Sequence, residues 1–183
     1  MPSKHEANLP HTQNRYNNAN TAVKEWTVIR VLFICLGNIC RSPMAEGFFQ
    51  RLVDEAGLSG QIEVDSAGTM PWNTGRPAHR GTRDVLRRRG ITYEGQARQV
   101  DLADLTEADY VIAMDTENVY HLRQMASRET LNAKLYLLLD FAPRGFPQVV
   151  PDPIYDGKFE RVYSLVEAGC HGLLDHIRAK HEL

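Results

Sequence analysis

Two residues of this chain, Cys35 and Arg41, have the types and spacing of a site that binds an anion next to a thiol. Cys35 follows the apolar run 31–34, and six residues later Arg41 leads into Ser42 and Pro43, which predict a helix start with Ser42 as N-cap and Pro43 at the first helical position. A loop that enters a helix N-terminus points several backbone N–H groups and the positive end of the helix dipole at one place. The spacing therefore predicts an anion site with the Cys35 sulfur beneath it and the Arg41 guanidinium at its side.

The same arrangement predicts a reactive cysteine. Helix N-termini and cationic neighbours favour the thiolate form of cysteine, which is the nucleophilic form. Gly37 and Asn38 within the loop tolerate the positive φ values that we expect a tight turn to need. The alternative, a buried cysteine beside a solvent-exposed arginine, does not require a strand, a Gly-Asn turn and a helix start in this order.

The elements that must position this loop alternate between short apolar strands and amphipathic helices. Strands are predicted at 28–34, 62–65, 110–114 and 134–139, and helices at 43–56, 79–89, 101–108, 116–126 and 159–177. The connection 141–158 contains four prolines and is predicted to be a loop. The pattern indicates an α/β fold: a single-domain three-layer sandwich, with a four-stranded parallel sheet and helices on both faces. Cys35 then ends a central strand, where open α/β sheets bind ligands.

Composition limits the classes of protein to be considered. The chain has 183 residues, of which 43% are hydrophobic, a net charge of −2 and three cysteines. These values are typical of a globular cytoplasmic protein and indicate no general attraction to nucleic acid or membrane. Residues 1–25 contain five asparagines and few apolar residues, so we expect a flexible tail before a catalytic domain at 26–183.

The run from Cys35 to Pro43, Cys-Leu-Gly-Asn-Ile-Cys-Arg-Ser-Pro, resembles the signature of the low-molecular-weight protein tyrosine phosphatases. Further segments resemble that family in the same order: Asp65-Ser-Ala-Gly-Thr69, Trp72-Asn73, Ala97-Arg-Gln99, Ala113-Met-Asp115 and Asp152-Pro153. The resemblance extends from about Val28 to the C-terminus. It implies a flavodoxin-like sheet, phosphotyrosine-containing protein substrates and a monomer or weak dimer; we expect no metal or other cofactor.

The resemblance also implies roles for individual residues. Cys35 is expected to form a cysteinyl-phosphate, Arg41 to bind the phosphoryl oxygens, and Asp152 to protonate the leaving phenolate and then activate water. Without the resemblance, Asp152-Pro153 indicates only a turn. The residues expected to bind substrate are Leu36, Gly37, Asn38, Ile39, Cys40 and Ser42 in the loop, with Trp72 and Tyr155 as aromatic walls.

Supporting roles follow from the same resemblance. Asn38 and Ser66 are expected to hold the loop, and Ser42 to donate a hydrogen bond to the sulfur. Asp115 either orients Arg41 or caps the following helix, and the sequence leaves both open. Members of the family often have a second aromatic wall where this chain has Ile154. Some members have a histidine that supports the loop asparagine where this chain has Gly95-Gln96. We therefore expect a shifted substrate preference, and the support of the loop stays an open question.

The sequence predicts less specific roles for the other two cysteines and for the run of arginines. Cys40 either forms a protective disulfide with Cys35 under oxidation or is a small buried side chain, and the sequence leaves both open. Cys170 is predicted to pack in the core. Cys35, Cys40 and a histidine lack the ligand spacing of a zinc site. The run 87–89 of three arginines is interpreted as a solvated helix end.

Other activities on the same scaffold are less consistent with the sequence. An arsenate reductase coupled to thioredoxin needs two further cysteines past the middle of the chain, and none lies between Arg41 and Gly169. Protein arginine phosphatases have a small polar residue where this chain has Ile39. A phosphate-binding module without activity would not need Cys35, Arg41 and Asp152 together. The sequence therefore favours hydrolysis of phosphotyrosine and other aryl phosphate monoesters.

Overall fold

The computed structural model describes residues 28–183, which form a parallel sheet of four strands with helices around it. The strands are β1 (Ile29–Cys35), β2 (Ile62–Gly68), β3 (Tyr110–Ala113) and β4 (Leu135–Leu137). The helices are α1 (Arg41–Glu55), α2 (Arg80–Arg88), α3 (Leu102–Glu107), α4 (Thr116–Met125), α5 (Arg128–Leu131) and α6 (Phe159–His181). The tail predicted at 1–25 lies outside the described residues.

The side chains of β1 alternate between two hydrophobic cores. Val31 and Phe33 belong to a core that also contains buried residues of α1, α2 and α6. Leu32 and Ile34 belong to a second core, with buried residues of α3, α4 and α5. Because adjacent residues of a strand point to opposite faces, a strand that is apolar throughout is covered on both sides. The predicted three-layer sandwich is confirmed.

The order of the strands places a crevice beside Cys35. The sheet runs β2-β1-β3-β4, so the chain leaves β1 toward one edge of the sheet and later continues from β3 toward the other. Ligands bind outside the carboxyl ends of the strands at such a reversal. Cys35 ends β1, and Asp115 follows β3 by two residues. The topology therefore brings these two residues to the same edge.

The end of the sheet differs from the prediction. β4 covers only Leu135–Leu137, whereas a strand was predicted at 134–139, because a 3₁₀ helix begins at Leu138 and continues to Phe141. The Asp140 carboxylate accepts a hydrogen bond from the Leu137 N–H at 3.0 Å and so turns the backbone away from the strand. The short helix α5 was not predicted, although Ser127 caps it by accepting the Thr130 N–H.

Candidate active site

The loop between β1 and α1 is held in place through its carbonyl groups. Five of them accept hydrogen bonds from outside the loop. The Cys35 and Leu36 carbonyls accept from the N–H groups of Thr69 and Met70, both at 2.9 Å, and the Ile39 carbonyl accepts from the His79 N–H at 2.7 Å. The Gly37 carbonyl accepts from Asn73 Nδ2 at 3.0 Å, and the Cys40 carbonyl accepts from Thr82 Oγ1 at 3.1 Å. In a trans peptide unit the N–H group points away from the C=O group. The N–H groups that follow these carbonyls are therefore turned inward.

The Cys35 sulfur lies at the base of this ring of N–H groups. The Asn38 N–H donates to Sγ at 3.3 Å, and the Ser42 hydroxyl donates to it at 3.1 Å. Both donors point at the atom that carries the charge of a thiolate. The arrangement is thus suited to an anionic nucleophile with a second anion above it.

Ser42 has only one of the two roles predicted for it, the hydrogen bond to the Cys35 sulfur. Helix α1 begins at Arg41, with Cys40 at the N-cap position and no side-chain cap. The prediction of Ser42 as N-cap and Pro43 as first helical residue is therefore wrong: the helix starts two residues earlier, with the Met44 N–H bonded to the Cys40 carbonyl at 3.3 Å. Pro43 still lies in the first turn, where a missing N–H costs nothing.

Asn38 carries the strained backbone of the loop. Its φ is +51°, whereas Gly37 does not have a positive φ, so that part of the prediction is wrong for Gly37. Gly37 is needed for close approach instead, because a Cβ there would lie 2.6 Å from the Asn73 amide nitrogen. The Asn38 amide donates to Ser66 Oγ at 2.8 Å and accepts from the Arg98 N–H at 2.9 Å.

Arg41 is buried between two carboxylates. Nη1 donates to Asp115 and to the Val150 carbonyl, and Nη2 donates to Asp152 at 2.8 Å. Burial acts to lower the pKa of the guanidinium, but negative charge on Cys35, Asp152 and Asp115 outweighs it and raises the pKa. Arg41 is therefore a permanent positive charge with a fixed orientation.

Asp115 has both of the roles that the sequence left open, since it orients Arg41 and caps α4. One carboxylate oxygen accepts the Asn118 N–H at 2.7 Å and caps α4, while the other accepts from Arg41. Helix capping therefore fixes the carboxylate, and the carboxylate fixes the guanidinium.

A cavity of about 290 Å³ opens above the loop. Its lining includes Cys35, Leu36, Gly37, Ile39, Cys40, Trp72, Asp152, Ile154 and Tyr155. Asn38, Arg41, Ser42 and Ser66 are buried behind it. The structure thus brings all the predicted site residues to one edge of the sheet. A larger cavity of about 510 Å³, lined by residues between 123 and 135, contains no cysteine or carboxylate.

The three cysteines differ in their surroundings. Burial, with negative charge on Asp152 and Cys35, raises the pKa of Cys40 to about 12, so its thiol is neutral at physiological pH. Burial also raises the pKa of Cys170, which packs in the first core as predicted. All three thiols are free. A neutral thiol is a weak nucleophile, which separates Cys40 from the role expected of Cys35.

Some contacts of the loop could not be found from the sequence. Glu46 accepts hydrogen bonds from Ser66 and Tyr93 at 2.6 and 2.7 Å. In the sequence Glu46 looks like any polar residue of an amphipathic helix; its only signal is its position one turn after Ser42. Among residues 28–183 no cluster of three His, Cys, Asp or Glu side chains could hold a metal ion. Within the same residues no helix has the length and hydropathy to cross a membrane.

Comparison with known proteins identifies the scaffold. Residues 30–183 match the family described as low molecular weight phosphotyrosine protein phosphatase. The chain belongs to this family. It is 48% identical over 157 residues to the low molecular weight protein-tyrosine-phosphatase YfkJ of Bacillus subtilis, with 85% of this chain and 100% of YfkJ covered. The crystal structure of YfkJ aligns with a TM-score of 0.81 over 84% of this chain and 97% of that one.

Other relatives extend the comparison. The protein-tyrosine-phosphatase PtpA of Staphylococcus epidermidis is 41% identical over 150 residues, which are 82% of this chain and 94% of PtpA. The crystal structure of a Drosophila arginine phosphatase is 31% identical, with a TM-score of 0.75 over 82% of this chain and 98% of that one. The chain is thus a protein-tyrosine-phosphatase of the low-molecular-weight type, a hydrolase, on a scaffold shared with an arginine phosphatase.

Proposed function

We propose that this enzyme hydrolyses phosphotyrosine in proteins through a cysteinyl-phosphate on Cys35, with Arg41 as phosphate clamp and Asp152 as general acid and base. The observation that carries the proposal is the loop itself. Its outward carbonyl groups turn the N–H groups toward the space above Cys35 Sγ, where three equatorial phosphoryl oxygens would need donors. Family membership supports phosphotyrosine as the substrate class.

In the first step the Cys35 thiolate attacks phosphorus and the bond from phosphorus to the phenolic oxygen breaks. The leaving phenolate, whose conjugate acid has a pKa near 10, takes a proton from the Asp152 carboxyl group. Asp152 lies in the loop between the 3₁₀ helix and α6, and it lines the cavity together with Cys35. In the second step a water gives its proton to Asp152 and attacks phosphorus, and the Cys35 sulfur leaves as a thiolate.

Arg41 links phosphate binding to the release of the Asp152 carboxyl group. Its Nη1 is held by Asp115, while its Nη2 donates to Asp152. A bound phosphoryl group competes with Asp152 for Nη2, because a dianion attracts a guanidinium more strongly than a single carboxylate does. Phosphate binding therefore frees the Asp152 carboxyl group at the time when it must face the leaving oxygen.

The walls of the cavity select the ester. Trp72 and Tyr155 flank the opening, so the faces of a phenol ring are covered while phosphorus reaches Cys35. The side chain of phosphoserine is shorter and cannot span this depth, which removes the proximity on which the attack depends. Ile39 offers no hydrogen-bond acceptor to a guanidinium, so phosphoarginine leaves its N–H groups unpaired.

Rapid acid quenching of a reaction with a phosphotyrosine peptide tests the mechanism. We expect mass spectrometry to find a phosphoryl group on the peptide that contains Cys35, and more of it in Asp152→Ala, in which the second step lacks its base. A phosphoryl group on another residue, or none in either protein, contradicts the covalent route. Preference of the parent enzyme for phosphoarginine peptides over phosphotyrosine peptides contradicts the substrate assignment.

A further inference from the structure

Glu46 lies behind the loop and gathers two hydroxyl donors on one oxygen. Tyr93 Oη donates to Glu46 Oε2 at 2.7 Å, and Ser66 Oγ donates to the same oxygen at 2.6 Å. Glu46 comes from α1, Ser66 from β2 and Tyr93 from the segment after α2. The carboxylate therefore joins three parts of the chain at the back of the site.

A continuous path of hydrogen bonds connects this carboxylate to the sulfur. Asn38 Nδ2 donates to Ser66 Oγ at 2.8 Å and to Ser42 Oγ at 2.9 Å, and Ser42 Oγ donates to Cys35 Sγ at 3.1 Å. A carboxylate can only accept, and a hydroxyl has one proton to give. Ser66 must therefore donate to Glu46 and accept from Asn38. The second amide hydrogen of Asn38 then points at Ser42, whose own proton is left for the sulfur.

Tyr93 keeps Glu46 in its accepting form. Burial raises the pKa of Glu46, and the hydrogen bonds from Ser66 and Tyr93 act against this rise. Burial and the negative charge of Glu46 raise the pKa of Tyr93 far above the ordinary value, so its hydroxyl keeps its proton and donates. Without the Tyr93 hydroxyl, Glu46 takes up a proton more readily. A protonated Glu46 can donate to Ser66, and the direction of the path is lost.

The sequence around Tyr93 is adapted to this contact. Gly95 lies where a side chain would collide with the tyrosine, because a Cβ at that position would be 2.3 Å from Tyr93 Oη and 2.6 Å from its ring. The tyrosine ring occupies the space that a side chain at position 95 would need, and its hydroxyl reaches Glu46.

We propose that Tyr93, acting through Glu46, is a positioning residue for catalysis, which fixes the direction of the hydrogen bonds from Ser66 through Asn38 and Ser42 to the Cys35 sulfur. The inference rests on the proposed role of Cys35 as nucleophile. It answers the question that the sequence left open, since the pair of Tyr93 and Glu46 supports the loop asparagine in a chain that lacks the histidine.

The variant Tyr93→Phe removes only the hydroxyl, and Tyr136→Phe is its matched control, because Tyr136 Oη donates to the Ala133 carbonyl at 2.8 Å outside the path. We expect Tyr93→Phe to lower kcat by about 3–10-fold, the worth of one hydrogen bond, with little change in KM. The pH midpoint for alkylation of Cys35 by iodoacetate should move upward in Tyr93→Phe and stay unchanged in Tyr136→Phe. This second readout does not depend on turnover.

Gly95→Ala provides an independent arm, since its methyl group displaces the Tyr93 hydroxyl without removing it. We expect a similar loss of kcat in the single variant. When Gly95→Ala is added to Tyr93→Phe, whose ring still meets the new methyl group, we expect a combined loss well short of additive. If the parent enzyme is active and Tyr93→Phe leaves kcat or the alkylation midpoint unchanged, the inference is wrong. Additive losses in the double variant would also overturn it. A parent without phosphotyrosine hydrolysis overturns the proposed function instead.

Discussion

The two sides of the phosphate loop are built differently. Beneath it, Asn38 and Ser66 are 2% and 3% exposed, and each makes several hydrogen bonds at 2.6–2.9 Å. Above it, the aromatic walls Trp72 and Tyr155 are 67% and 84% exposed. The groups that hold the phosphate site are thus fixed before substrate binds, whereas the walls become covered only when a ring lies between them.

This contrast separates chemistry from selection. A change beneath the loop should affect every substrate alike, because every substrate brings the same phosphoryl group to Cys35. A change in the walls should affect substrates according to the group attached to the phosphate. Measurements on the two sets of residues can therefore test whether the separation holds.

The largest effect is expected from the nucleophile. Cys35→Ser should lose essentially all turnover, since a neutral hydroxyl replaces a thiolate, while Cys40→Ser should keep most of it because the Cys40 thiol, with a pKa of about 12, is neutral at pH 7. Steady-state kinetics under reducing conditions with an aryl phosphate give the comparison. Equal losses in two folded variants would contradict the assignment of Cys35.

Asp152→Ala should have the next largest effect. We expect kcat to fall by about 10²–10⁴-fold for esters of weakly acidic phenols and much less for activated aryl phosphates, whose phenolates leave without a proton. Asp156→Ala is the matched control, since Asp156 lies in the same loop and pairs with Lys158 at the surface. A loss that is uniform across leaving groups would mean that Asp152 acts only through its contact with Arg41.

Local signals in the sequence were sufficient for the fold and for the center of the site. The apolar strands, the helix patterns and the sequence between Cys35 and Pro43 are each contained in a short window, so their residues could be recognised without the rest of the chain. The helix start at Arg41 was missed because Ser42 has the residue type of an N-cap but uses its hydroxyl for Cys35 and Asn38.

Contacts between distant segments could not be predicted in the same way. The loop carbonyls are held by donors that lie between Thr69 and Thr82, and the direction of the Asn38 amide depends on Glu46 and Tyr93. No periodicity marks such residues, because their function depends on which segments the topology brings together. Gly95 gave a partial signal in the sequence, because the lack of a side chain there left open which other residue supports the loop.

Ile39 belongs to the phosphate loop and lines the cavity together with the aromatic walls, and a substitution there tests how the enzyme selects among phosphate esters. We expect Ile39→Thr to shift the ratio of kcat/KM toward phosphoarginine over phosphotyrosine, because its hydroxyl can accept a hydrogen bond from the guanidinium that is otherwise unpaired, an effect of roughly 1–3 kcal/mol. Ile39→Val controls for volume. An unchanged ratio in the threonine variant would show that Ile39 does not set this preference.

The smallest effect is expected from the walls, and it gives the most direct test of the comparison. Trp72→Ala should raise KM for a phosphotyrosine peptide by about 2–10-fold, as loss of one aromatic contact does, with kcat nearly unchanged. Inhibition by inorganic phosphate, which touches only the loop, should not change. Phe146→Ala is the control, because Phe146 is exposed on the same surface loop as Tyr155 but does not line the cavity. If phosphate inhibition weakened together with peptide binding, Trp72 would be part of the support of the loop, and the separation between a fixed phosphate site and adaptable walls would be wrong.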